Sequence, residues 1–333
     1  MTQPLIDIHS HLYPRWYVEA LKRRTELPRI VGVEGAERFV IFPGESGRPM
    51  GPDYWDVERK LLFMDRVGID QTLVSLGNPW LDPFGADEAP ELARVANAYF
   101  SGLEAETQRR IVGLGVLPQH DVAAAARTVA EAAATRGLYG LINGCRMCGR
   151  TLDDPALEPI WNALEETRLP LLLHPHYVVG QDALDGFGHA FPLALGFPFE
   201  TTVAIARLVF AGVLRRHPRL TVVAAHGGGT LPYLAGRLDA GWSSDASVHD
   251  RLPEPPTQSL GNLVLDALVY HRGALLAASA LVGVERMAFG TDHPFAVADP
   301  EMNLRAIDET FTGNDREAVR AESARRIFSL PRP

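Results

Sequence analysis

The chain has little cysteine, two residues in 333, which is too few for a disulfide framework. It has no run of about 20 apolar residues, so no membrane span is expected. It also lacks a basic tract. The formal charge is -9, from 41 acidic and 32 basic residues, and nucleic-acid binding has no electrostatic support. An anionic substrate would then need its own local arginines. No Lys-Ser/Thr pair follows Gly227-Gly228-Gly229, so these glycines are read as a closely packed turn and not as a phosphate cradle. Internal repeats and low-complexity tracts are missing too. Asp7, His9 and His11 come so early that no cleaved leader is expected, and the cytoplasm is the expected location.

What is present is a steady alternation. Hydrophobic residues make up 46% of the chain, enough for a sizeable core. The length suits two domains or one barrel of about 250 residues with insertions. Short apolar runs rich in β-formers lie at Leu5–Leu12, Gln71–Leu76, Ile111–Leu117, Leu138–Ile142, Leu169–His174, Leu220–His226, Leu263–Val269 and Arg286–Thr291. Helical patterns separate most of them, at Asp53–Val67, Glu88–Thr107, Val122–Thr135, Pro155–Thr167, Glu200–Arg216, Leu231–Gly241 and Arg272–Val282. Two more, Pro300–Phe311 and Arg316–Phe328, close the chain. Eight strand-helix repeats predict an α/β fold, a (β/α)8 TIM barrel spanning residues 1–333. The competing open sheet often has a Gly-rich turn after its first strand; here that strand ends in His-Ser-His. Residues 13–52 read as an insertion after the first strand, with a hairpin of Ile30–Val33 and Phe39–Phe42. Residues 177–199 form a second long connection on the same side, and long loops there are often functional.

Chemistry-bearing residues gather at the ends of these strands. Strand side chains alternate faces, so His9 and His11 point the same way and Ile8 and Ser10 point toward the helix layer. His174 ends the fifth strand, His226 the sixth and Asp292 the eighth. Carboxyl ends of barrel strands converge on one mouth, so five polar groups from four strands meet there. Imidazole nitrogen and carboxylate oxygen both suit zinc, and a catalytic zinc keeps one position open. A lone strand-end histidine is more often a structural hydrogen-bonder; five such groups at matching positions point to a centre.

The chain resembles the amidohydrolase superfamily, and more narrowly its aminocarboxymuconate semialdehyde decarboxylase-like branch. The likeness covers nearly the whole chain. It rests on Ile6-Asp7-Ile8-His9-Ser10-His11, Arg48-Pro49 with Trp55-Asp56, and Leu173-His174-Pro175. It continues in Glu200-Thr201-Thr202, Ala225-His226-Gly227-Gly228-Gly229, Gly236-Arg237, and Gly290-Thr291-Asp292 with Pro294-Phe295. The resemblance implies one zinc held by His9, His11, His174 and Asp292, and an acid/base role for His226. It implies a carboxylate contact from Arg48. Arg237 matches an arginine that reaches the neighbouring subunit's site, which implies a homodimer. Two positions depart from the branch: His176 stands where it has Trp, and His293 where it has Tyr. The resemblance therefore leaves the substrate open.

The expected activity is non-oxidative decarboxylation of an unsaturated or aromatic carboxylic acid. Zinc-bound water and His226 would protonate the carbon bearing the carboxylate, with Asp292 sharing the catalytic centre. Histidine's ordinary pKa near about 6.5 suits that exchange, and the planar fork of Arg48 suits the carboxylate. Hydrolysis of an ester, lactone, amide or C–C bond, or hydration, is the alternative, with His176 and His293 as extra proton donors. A non-enzymatic zinc-binding protein is the third reading. Trp80, Trp55 and the Phe191–Phe199 stretch are candidate pocket walls. Cys145 and Cys148 read as free thiols, and His120, His217 and His249 as solvated; His189 is not assigned. Asp7 is left between a place inside the barrel and a place against the helices.

Overall fold

The computed structural model describes residues 4–331 apart from positions 44 and 185, which fall in the insertion and in the second long connection. Eight parallel strands follow one another around a single sheet in chain order. They are β1 (Ile6–Leu12), β2 (Gln71–Leu76), β3 (Ile111–Val116), β4 (Leu138–Gly144), β5 (Leu171–His174), β6 (Thr221–Ala224), β7 (Asn262–Asp266) and β8 (Met287–Ala288). Registers such as Leu171 with both Leu141 and Val222 tie neighbours together. The ring closes between β1 and β8: Ile8 N donates to Phe289 O at 3.0 Å, and His11 N to His293 O at 2.8 Å. The expected (β/α)8 TIM barrel is the fold.

Helices wrap the ring. The larger ones are α1 (Arg15–Arg23), α2 (Val57–Val67), α3 (Ala89–Glu106), α4 (Val122–Ala134), α5 (Glu158–Thr167), α6 (Phe197–Phe210), α7 (Leu231–Ser244), α8 (Arg272–Val282) and α9 (Pro300–Thr310). Local chemistry sets their limits. Asp56 caps α2 by accepting from Glu58 N and Arg59 N, and Gly68, at φ 82°, ends it. Asp121 caps α4 in the same way. The expected helix Glu200–Arg216 begins earlier and breaks at Gly212, whose φ of 67° turns the chain out of the helix. Pro192–Phe210 does have the length and hydropathy of a membrane span, against the expectation from sequence; half of that segment is buried against the rest of the protein.

The insertion is richer than a hairpin. Arg29–Val31, Arg38–Val40 and Arg48–Pro49 form a three-stranded antiparallel sheet. The third strand is two residues long and contains a proline, so little in the sequence marked it. It matters because it carries Arg48. Strands β6, β7 and β8 stop earlier than expected. His226, Tyr270 and Asp292, two to four residues past these strand ends, adopt positive φ (55°, 55° and 59°).

Candidate metal centre

Strand β1 is buried along its whole length. Its pleat sends Asp7, His9 and His11 inward. Ser10 points outward, where its Oγ accepts from Lys60 Nζ of α2 at 2.7 Å. The rings of His9, His11 and His174 form a near-equilateral triangle, with centroids 5.1, 5.0 and 4.9 Å apart. Their Nε2 atoms face one oxygen, Asp292 Oδ1, at 3.2 Å from His9, 3.2 Å from His11 and 3.6 Å from His174. His226 Nε2 faces the other oxygen, Oδ2, at 3.4 Å. His9, His174, His226 and Asp292 form a group whose donor atoms lie within 4.8 Å of one another. His11 joins it through Asp292 Oδ1. The structure thus brings together all five strand-end groups expected from the sequence.

These residues fit a divalent cation. Each inward imidazole has its outer nitrogen engaged: His9 Nδ1 with Asp266 Oδ2 at 2.7 Å, His11 Nδ1 with Ser75 Oγ at 3.0 Å, and His174 Nδ1 with Pro175 O at 2.8 Å. Such outer partners fix ring orientation and raise ligand basicity. The inner Nε2 atoms of His9 and His174 are buried with no hydrogen-bond partner. A buried ring nitrogen without a partner is costly, and a cation at this point would remove the cost. Titration reflects the same crowding. Burial pushes His11 well below its usual range and His174 down to about 4. Burial acts on His9 too, but the Asp292 and Asp266 carboxylates outweigh it and lift the imidazole to about 10. Asp292 resists the upward push of burial because His9 and the other imidazoles hold it well below its usual value.

Asp266, at the end of β7, was not singled out from the sequence. It is fully buried and accepts from His9 Nδ1, from His226 N at 2.9 Å and from Gly227 N at 2.7 Å. The available signal was an acid closing the apolar run Leu263-Val264-Leu265. Asp7 lies inside the barrel, where it accepts from His9 N at 3.0 Å and Thr291 Oγ1 at 2.7 Å. The glycines after His226 are a packed turn: a Cβ on Gly229 would lie 2.0 Å from Pro198 O.

Arg48 shares a cavity of about 680 Å³ with His174, His226 and Asp292. Asn78 Oδ1 and O (3.2 and 3.3 Å) and the Tyr13 hydroxyl hold its terminal nitrogens, and it lies over the Phe295 ring, 4.5 Å from the centroid. Its Nε is buried and unspent. Three expected substrate contacts are not among the residues lining that cavity. His293 stacks on Phe63 at 3.7 Å, with its Nδ1 2.6 Å from Lys60 Nζ. His176 packs between Phe42 and Trp80, and its backbone N donates to Glu200 Oε2 at 2.8 Å. Trp80 is fully buried beside His174. Arg237 is exposed on α7 and does not line this chain's own cavity. His217 is not solvated as expected: it is buried between Glu158 and Glu165, at 2.9 and 3.0 Å. Cys145 and Cys148 are free thiols.

A closed parallel barrel that gathers imidazoles and a carboxylate at its strand ends defines a metal-dependent barrel enzyme. The amidohydrolase family matches residues 6–330, and the chain belongs to it. The chain is 27% identical over 335 residues to 2-amino-3-carboxymuconate-6-semialdehyde decarboxylase of Dictyostelium discoideum, covering 98% of this chain and 91% of that protein. It is 30% identical over 302 residues to gamma-resorcylate decarboxylase of Rhodococcus jostii, covering 84% and 89%. Among solved structures, apo IDCase of Metarhizium anisopliae superposes with a TM-score of 0.93 at 32% identity, covering 98% and 97%.

Proposed function

We propose that this protein is a zinc-dependent, non-oxidative decarboxylase of an aromatic or unsaturated carboxylic acid. One observation carries the reading. Three imidazoles face one oxygen of Asp292, His226 faces the other, and Arg48 opens into the same cavity. His9, His11, His174 and Asp292 would hold the metal. When bound, it supplies a fixed positive charge that draws electrons from a substrate oxygen.

The chain's own residues do the rest. Arg48 holds the substrate carboxylate and orients the ring. His226 passes a proton from Nε2 to the carbon bearing that carboxylate, and Asp292 Oδ2 accepts from the same nitrogen between turnovers. The bond to the carboxylate then breaks, carbon dioxide leaves, and its electron pair restores conjugation. One proton enters and one carbon dioxide departs, so no electron acceptor is needed. Arg237 reaches the site of a second copy in a homodimer, a reading supported by its exposure on α7 near Tyr233, itself 86% exposed. A cytoplasmic place is part of the same proposal and accords with two free thiols. The alternative of hydrolysis drew on His176 and His293 as extra proton donors, and neither lines the cavity. Metal analysis of the purified protein, coupled to a carbon dioxide release screen over aromatic and muconate-type acids, tests the reading. One zinc per chain and release without an organic cofactor are expected. Ester or amide hydrolysis with no carbon dioxide would overturn it.

A further inference from the structure

The cavity is far larger than the proposed chemistry needs. It is a cleft partly open to solvent and offers about 680 Å³, more than the about 150 Å³ that suffices for a benzene ring. Arg48, His174, His226 and Asp292 supply the polar groups that a carboxylate and a reacting carbon require. Much of the remaining wall is apolar, with Leu193, Phe197, Leu268, Val269, Ala274 and Val297 among its residues. They come from the connection before α6, from the loops after β7 and β8, and from α6 and α8.

Two of the polar side chains set among them are already spent, while the His189 ring, which also lines the cavity, has only Glu45 at 3.9 Å. Thr230 Oγ1 pairs with Thr202 Oγ1 at 3.1 Å, and the Tyr270 hydroxyl donates to Val297 O at 2.9 Å. Tyr270 therefore presents its ring to the cavity while its hydroxyl ties the loop after β7 to the loop after β8. A bare hydroxylated ring would leave this wall facing water. A hydrocarbon chain would cover it, gaining the free energy of burying apolar surface on both partners.

We infer that the substrate is an aromatic acid bearing an unbranched apolar side chain of several carbons, seated against this wall. The inference rests on the decarboxylase reading only for the reacting end of the molecule. The probes are 2-hydroxybenzoate and its 4-, 5- and 6-pentyl derivatives. Each is titrated calorimetrically into the zinc-loaded protein, and carbon dioxide is measured in parallel. At least one pentyl acid should bind ten times more tightly than the parent. That gain, about 1.4 kcal/mol, needs only about two buried methylenes. Ala274→Trp should remove the gain. Val297→Asp should do the same, and its position is already 38% exposed, which keeps the test available if the tryptophan misfolds. No pentyl acid gaining tenfold, or a gain that survives both substitutions, overturns the inference. Tight binding of a pentyl acid with no carbon dioxide from any probe would instead sink the decarboxylase reading and leave the apolar-chain site standing.

Discussion

His226 Nε2 lies 3.4 Å from Oδ2 of Asp292, the oxygen that the other three imidazoles leave aside. In the proposed reading one carboxylate thus serves two purposes, facing the three proposed metal-binding imidazoles through Oδ1 and meeting the proposed proton carrier through Oδ2. This division separates metal retention from proton transfer and makes the two experimentally distinct.

His226→Asn tests that separation. Turnover should fall by roughly two to four orders of magnitude, the usual contribution of a positioned acid/base group. Zinc content, measured by plasma mass spectrometry, should stay at one per chain. Retained activity would remove His226 from the chemistry, and lost metal would make it a ligand.

Asp266→Asn should act on the metal first. The carboxylate accepts from His9 Nδ1 and from three backbone amides, and the carboxamide keeps the shape while losing the charge. Partners of this kind are worth roughly 10–100-fold in metal affinity. Competition with a chromogenic chelator reads the change; an unaltered affinity would show that His9 needs no such support.

Arg48→Lys keeps a positive charge and loses the planar fork. Hydrogen bonds to charged groups contribute about 1.5–3 kcal/mol each, so kcat/KM should fall by roughly ten- to a hundredfold, mainly through KM. A loss confined to kcat would argue that Arg48 acts on the reacting carbon and not on the carboxylate.

The pH dependence of stability should carry the mark of Glu200. Burial raises its carboxyl from 4.5 to about 8. Between those values the fold keeps a proton that the unfolded chain releases, so stability falls as pH rises, by up to about 1.4 kcal/mol per unit. The fall starts near the unfolded value and levels off above about 8. Glu200→Gln abolishes the titration while keeping an acceptor for His176 N. Urea midpoints taken at about pH 5 and about pH 8 should then differ less in the variant than in the parent. Equal differences would place the proton elsewhere.

The barrel was legible because each strand falls in an apolar run and because helices such as those after Asp56 and Asp121 begin at a side-chain cap. Alternation along β1 was enough to turn His9 and His11 the same way. What escaped depended on contacts between distant segments. Asp266 looks like any acid at a strand end until its carboxylate is seen against His9, 257 positions away. His176 and His293 sit beside ligands in sequence, yet the backbone leaving β5 and β8 turns them toward Trp80 and Lys60. Adjacency along the chain said nothing about the direction of either ring. Lys60, the buried partner of His293, lies on an amphipathic helix where nothing in the pattern separates an inward amine from a solvated one.

His226 and Asp292 both occupy positive-φ backbone, which glycine enters without steric cost and which His and Asp visit more readily than most side chains. Selection for heat resistance alone should therefore drift toward glycine at these two positions, giving hardier folds that are chemically mute. A directed-evolution campaign on this scaffold would have to screen for turnover in every round, because a thermal gain of this kind would fall at the proposed reaction centre.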